Sequence, residues 1–241
     1  MGPKDLPGPV AQQAAEPGAI KLAYDFRGSG PPLVFVHGLT FDRASWQPII
    51  DRLADAYRCI AVDLPGHGDS DGPPRPLDDI AAALHRLLDA LGIDRPVVVG
   101  HSMGVPVVCI YAAAYPVRGV VDVDQSLFVR PFAELVHSLA PGLRGDDFGT
   151  TPAQLQARID NIAPAIRAPF LAVFGHVLDA HDKQHLRRFL PSAQVEEWPD
   201  RGHLVHLAEP DRFAARLAAF ASQCFAPSQP NRPTAPSWRS T

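Results

Sequence analysis

The sequence predicts an α/β domain whose mainly parallel sheet is covered by helices on both faces. Three observations carry that prediction. Short strand-like, mostly apolar runs recur at 33–36, 58–62, 96–99, 117–123, 170–174 and 193–198, and an unbroken apolar strand suits a sheet buried on both sides. Stretches with helical spacing of apolar residues lie between them, which is the alternation of layered α/β folds. The 241 residues, 46% hydrophobic and 20% charged, suffice for one large core.

Taken in order, residues 21–26 form a first strand and Gly28-Ser29-Gly30 turns the chain into the strand at 33–36. After the strand at 58–62, Asp78-Asp79 opens a helix with Ile80, Leu84, Leu87, Leu88 and Leu91 on one face, and Gly92 stands where it ends. The strand at 96–99 leads into 105–115, apolar enough for a buried helix. Residues 130–168, divided by Pro131, Pro141, Pro152 and Pro164, interrupt the alternation and read as an inserted lid. Pro210 suits the first position of a last helix, with Phe213, Leu217 and Phe220 on one face. Proline totals 26, about twice its usual share of about 5%. Many of these prolines mark joints: Pro31-Pro32, Pro96 and Pro169 each lead into a strand. This divides the chain into an N-terminal extension (1–19), a domain (20–225) and a disordered proline-rich tail (226–241).

Composition removes several function classes. With 22 basic and 26 acidic residues, net charge −4 and no block of like charge, no nucleic-acid or membrane partner is expected, only a small-molecule substrate. Neither a secretory signal nor a membrane span is visible. Cys59, Cys109 and Cys224, odd in number and widely spaced, read as free thiols of a cytoplasmic protein. No cofactor is expected: histidines and cysteines show no metal-ligand spacing, and Gly28-Ser29-Gly30 precedes a strand instead of opening a helix.

The chemistry lies in Gly100-His101-Ser102-Met103-Gly104, which sits between a strand and a helix. A turn that tight needs small residues beside the serine, and it lifts the hydroxyl to a helix N-terminus where an oxyanion is favoured. In a bare glycine-containing loop the pentapeptide would mean little; the flanking elements give it meaning. A serine hydroxyl also needs a base within reach. His203 follows Gly202, which permits close approach, and His206 is its competitor.

With His37-Gly38 after the strand at 33–36, Asp63-Leu64-Pro65-Gly66-His67-Gly68-Asp69-Ser70 after the next, the serine turn, and Arg201-Gly202-His203, the sequence resembles the α/β-hydrolase family over residues 21–225. The resemblance implies a serine hydrolase with Ser102 as nucleophile, His203 as base and the backbone N–H groups of Leu39 and Met103 as oxyanion hole. It casts His37, His67 and His101 as braces. The family's commonest acid position falls near Asp179, but Gly175-His176-Val177-Leu178-Asp179 is one residue longer than that pattern. Asp124 is the other candidate, favoured by its place at the carboxyl end of a strand; Asp122 shares its parity, so alternation does not separate the two. Either acid could instead be a helix cap. Phe41, Trp46, Phe128, Phe132, Leu135 and Leu139 are expected to line an apolar pocket, or else to pack on the core, with Arg130 beside them. The implied reaction is hydrolysis of an ester, thioester or lactone. Alternatives are C–C bond hydrolysis, acyl transfer, perhydrolysis or cofactor-free oxygenation on the same scaffold, or a non-catalytic binding protein.

Overall fold

A computed structural model describes residues 20–70, 72–127 and 151–227; the 1–19 extension, most of the tail and the first part of the expected lid lie outside them. Seven strands, β1 (Tyr24–Arg27), β2 (Pro32–Val36), β3 (Arg58–Val62), β4 (Val97–His101), β5 (Gly119–Val123), β6 (Phe170–Phe174) and β7 (Gln194–Glu197), form one sheet in the order β1-β3-β2-β4-β5-β6-β7. β1 runs antiparallel to β3 and every other pairing is parallel. The chain leaves β2 toward β3 on one side and returns to β4 on the other. The crevice at the carboxyl ends of β2 and β4 is therefore the switch point where open α/β sheets hold ligands.

The helices are α1 (Gln47–Leu53), α2 (Leu77–Ala90), α3 (Gly104–Ala114), α4 (Pro152–Ile162), α5 (Ala180–Phe189), α6 (Val205–Ala208) and α7 (Pro210–Phe225). Strand alternation divides the core into two layers. Leu33, Phe35, Val97, Val99 and Val173 face Ile49, Ile50 and Leu53 of α1 and Phe213, Leu217 and Phe220 of α7. Val34, Val36, Val98 and Val120 face the other way, onto α2, α3 and α4. α3 is buried from Gly104 through Tyr111, so it carries no polar face; full burial of each of its valines contributes about 1.5–3 kcal/mol.

Prolines stand at the joints: Pro32 begins β2, and Pro152 and Pro210 occupy the first turns of α4 and α7, where a missing N–H costs little. The described part of the expected lid differs from a cover over a cleft. Thr151 and Gln154 form a reciprocal capping box, and α4 then buries Ile159 and Ile162 in the α2/α3 layer. The prolines at 152 and 164 bracket a core helix, and Arg158 pairs with Asp78 of α2.

Candidate active site

β4 ends at His101 and α3 begins at Gly104, leaving Ser102 in a left-handed conformation with φ +50°. Such a backbone is strained for any residue but glycine, and the surroundings hold it. The Ser102 N–H donates to the Val123 carbonyl at 3.1 Å, and its own carbonyl accepts from the Val105 N–H at 2.9 Å. A β-carbon on Gly100 would overlap the Gly104 carbonyl, and one on Gly104 would overlap the Val36 carbonyl. The spacing of the glycines thus follows from how closely β2, β4 and α3 approach.

The loop after β2 is held by two imidazoles. His37 donates from Nδ1 to the Gly38 carbonyl at 2.7 Å and accepts the Leu64 N–H at Nε2, 2.9 Å. Burial pushes its pKa down to about 4, which keeps it in the neutral tautomer this pattern requires. His67 donates to the Leu39 carbonyl. Asp63, buried at the end of β3, accepts the Arg43 N–H at 2.7 Å and the Asp69 N–H at 2.9 Å, and pairs with the Arg43 guanidinium. Among the described residues, the backbone N–H groups of Leu39 and Met103 donate to no backbone acceptor. Met103 follows Ser102 directly, and Leu39 follows Gly38, on which an added β-carbon would lie 3.1 Å from that of Ser102.

The structure brings Asp124 and His203 together. Asp124 lies one residue beyond β5 with φ +55°; its Oδ2 is 2.8 Å from His203 Nδ1, and its Oδ1 accepts the Gly175 N–H at 2.6 Å. Burial alone would raise the Asp124 carboxyl, but the bonds from His203 and Gly175, with His176 nearby, hold it below the ordinary carboxylate range. Asp179 is elsewhere: it caps α5, accepting the Asp182 N–H at 2.8 Å. Asp122 is fully buried inside β5, where burial pushes its carboxyl well above the usual range and Oδ2 has no partner. His101, whose pKa burial lowers to about 4, meets the His203 carbonyl at 2.9 Å through Nε2 and so fixes the loop.

His206, the competing candidate for the base, lies in the core. It is buried in an aromatic stack, its ring centroid 4.6 Å from Trp46 and 4.7 Å from His101, and burial drives its pKa well below 6.5. Trp46 corrects the pocket expectation: it is fully buried between Phe35, His206 and Phe213, so it belongs to the core. Phe41, partly exposed, meets the His101 ring edge-on at 5.9 Å and does border the site. Phe128, Phe132, Leu135, Leu139 and Arg130 lie outside the described residues. Two residues escape a reading of motifs alone. One is Asp63, whose fixed place in the 63–70 motif was a signal for its loop-tying role. The other is His176, whose Nδ1 lies 3.2 Å from Asp124 Oδ1.

Residues 31–151 match the family profile of the alpha/beta hydrolase fold. The chain belongs to the α/β-hydrolase family. Among its relatives, the 2-(acetamidomethylene)succinate hydrolase of Mesorhizobium japonicum is 35% identical over 160 residues, which cover 62% of this chain and 57% of that protein. The chain thus spans little more than half of that relative's length. The crystal structure of E-2-(acetamidomethylene)succinate hydrolase superposes with a TM-score of 0.68 at 26% identity, covering 84% of this α/β-hydrolase and 96% of that chain. A thermophilic esterase from Thermogutta terrifontis gives the same TM-score at 24% identity, over 88% and 96% of the two chains, and speaks for the fold. No helix among the described residues is long and apolar enough to cross a membrane.

Proposed function

We propose that this α/β-hydrolase cleaves a small, largely apolar ester, thioester or lactone through an acyl-enzyme on Ser102. The observation that carries the reading is the 2.8 Å contact between His203 Nδ1 and a buried, ionised Asp124, on a loop fixed to the residue preceding Ser102. The Ser102 hydroxyl attacks the carbonyl carbon while His203 takes its proton through Nε2. Asp124 holds the imidazole with Nδ1 protonated and stabilises the imidazolium without accepting its proton. The developing oxyanion lies against the N–H groups of Leu39 and Met103 at the start of α3. Collapse passes the proton from His203 to the leaving oxygen or sulfur. Water, deprotonated by the same histidine, then releases the acid. Phe41 supplies an apolar border to the acyl group. The buried, unpaired thiols of Cys59, Cys109 and Cys224 suit a cytoplasmic protein.

A second reading takes its support from the Mesorhizobium relative, whose name describes a substrate with two carboxylates and an acetamido group. On that reading the same serine chemistry acts on an anionic amide-type substrate. A panel of short aryl esters, lactones and dicarboxylate amides, run alongside Ser102 labelling by a fluorophosphonate, separates the two. Turnover of aryl esters that disappears in Ser102→Ala supports the first. Turnover confined to the dicarboxylates supports the second, and labelling that persists in Ser102→Ala removes both.

A further inference from the structure

The Asp124 carboxylate has two imidazole neighbours. Oδ2 meets His203 Nδ1 at 2.8 Å, and Oδ1, already bonded to the Gly175 N–H at 2.6 Å, faces His176 Nδ1 at 3.2 Å. We propose that His176 is a positioning residue: it grips the second oxygen of Asp124 and, when protonated, draws negative charge away from the oxygen that serves His203. The proposal rests on reading His203 as the general base.

Geometry supports it in three ways. Gly175 and His176 are consecutive, so a backbone N–H and a side chain from one turn close on the same oxygen and leave the other to His203. The ring is steadied by the edge of Phe174, centroid to centroid 5.8 Å. The His176 side chain is 51% exposed against 3% for Asp124, so solvent reaches the ring while its partner stays dry. The other charged groups around it offset one another: Glu197 of β7 interacts with His176 but is paired with Lys183 of α5 at 2.9 Å. Asp124 also interacts with His101, whose pKa burial lowers to about 4, and with Asp122, whose carboxyl burial pushes well above the usual range. His176 therefore meets the Asp124–His203 pair from the solvent side, and it sits in the loop that is one residue longer than the family's commonest spacing.

A protonated His176 disfavours a second positive charge on His203, so it keeps the base free to lower pH. The test is the pH dependence of fluorophosphonate labelling of Ser102 in the full chain, comparing wild type, His176→Gln and His176→Ala. Glutamine retains an N–H donor for Asp124 and loses the charge; alanine loses both. The acid limb moves to higher pH by about half to one unit in both variants. The plateau rate stays within about twofold in His176→Gln and falls about five- to tenfold in His176→Ala. Superposable profiles, or a uniform loss at every pH with no movement of the limb, overturn the proposal. If wild type does not label, the reading of Ser102 as nucleophile fails, and NMR titration of the histidine rings decides the question of His176. The His203 resonances should respond in two steps in wild type and one in His176→Gln; one step in both overturns it.

Discussion

The interior of β5 and its carboxyl end hold the same side chain two residues apart and treat it in opposite ways. Asp122 pairs in register with Gly100 and Ala172, is sealed on both faces, and has its carboxyl pushed well above the usual range by burial, with one oxygen unpartnered. Asp124 has left the ladder, turns through φ +55°, and collects Gly175, His203 and His176 around an ionised carboxylate. Parity cannot distinguish them, because what separates them is where the ladder stops. A strand interior offers a carboxylate few donors, since its backbone N–H groups are committed to neighbours: one Asp122 oxygen accepts the Gln125 N–H at 3.1 Å and the other accepts nothing, whereas the crest of a parallel sheet offers loop N–H groups and side chains. His206 and His203 repeat the contrast: three residues apart, one lies in the aromatic layer beneath the crest and the other on it.

The largest effects should fall on the crest. Asp124→Asn is expected to lower ester turnover by about 10³–10⁴-fold, while Asp122→Asn, which imitates the protonated carboxyl, should leave turnover within about threefold. Matched kinetics on the two variants check this, and equal losses would erase the distinction. In the layer beneath, Trp46→Ala should cost about 3–5 kcal/mol of stability in urea unfolding, because the ring is fully buried. Phe41→Ala should instead change KM with little loss of stability.

Buried neutral histidines also set a pH dependence. His37 and His101 have pKa values lowered to about 4, and burial lowers that of His206 in the same sense. Lowered values mean that the unfolded chain binds more protons, so their stabilising contribution is present above about 6.5 and is lost as pH falls toward 4. Asp122, raised, acts in the opposite sense, since its contribution is lost as pH rises above about 4. The histidines lowered on folding outnumber the one raised carboxyl, so stability should fall as pH drops from 6.5 toward 4. Urea midpoints across that window test it, and Asp122→Asn, which removes the opposing carboxyl, should steepen the fall. The smallest effect is at Asp179: removing this cap with Asp179→Ala should cost about 0.5–2 kcal/mol and leave turnover nearly intact.

The sheet was legible because its strands are apolar runs bounded by proline and glycine, and the serine turn because close packing of β2, β4 and α3 demands small residues at Gly100 and Gly104. Ends of elements were less legible: the run at 21–26 begins three residues before β1, since no local signal marks where pairing with β3 starts. Trp46 looked like a pocket residue because loop aromatics border sites; its burial depends on Phe213 and His206, which are distant in sequence and settle only in tertiary packing. The 151–166 segment was hidden for a related reason, as its prolines punctuate a helix that packs on α3. His176 was beyond a one-dimensional reading: its partner is fifty-two residues away along the chain and meets it only across the β5–β6 crest.

Whether Asp124 is the acid that orients His203 is decided by one comparison. Fluorophosphonate labelling rates of Ser102 would be measured at one pH near 7.5 in wild type, Asp124→Asn and Asp179→Asn, with folding verified by circular dichroism. Asp124→Asn alone should lose about three orders of magnitude in labelling rate, with Asp179→Asn within about threefold of wild type. A folded Asp124→Asn that labels at the wild-type rate, or a loss confined to Asp179→Asn, would contradict it.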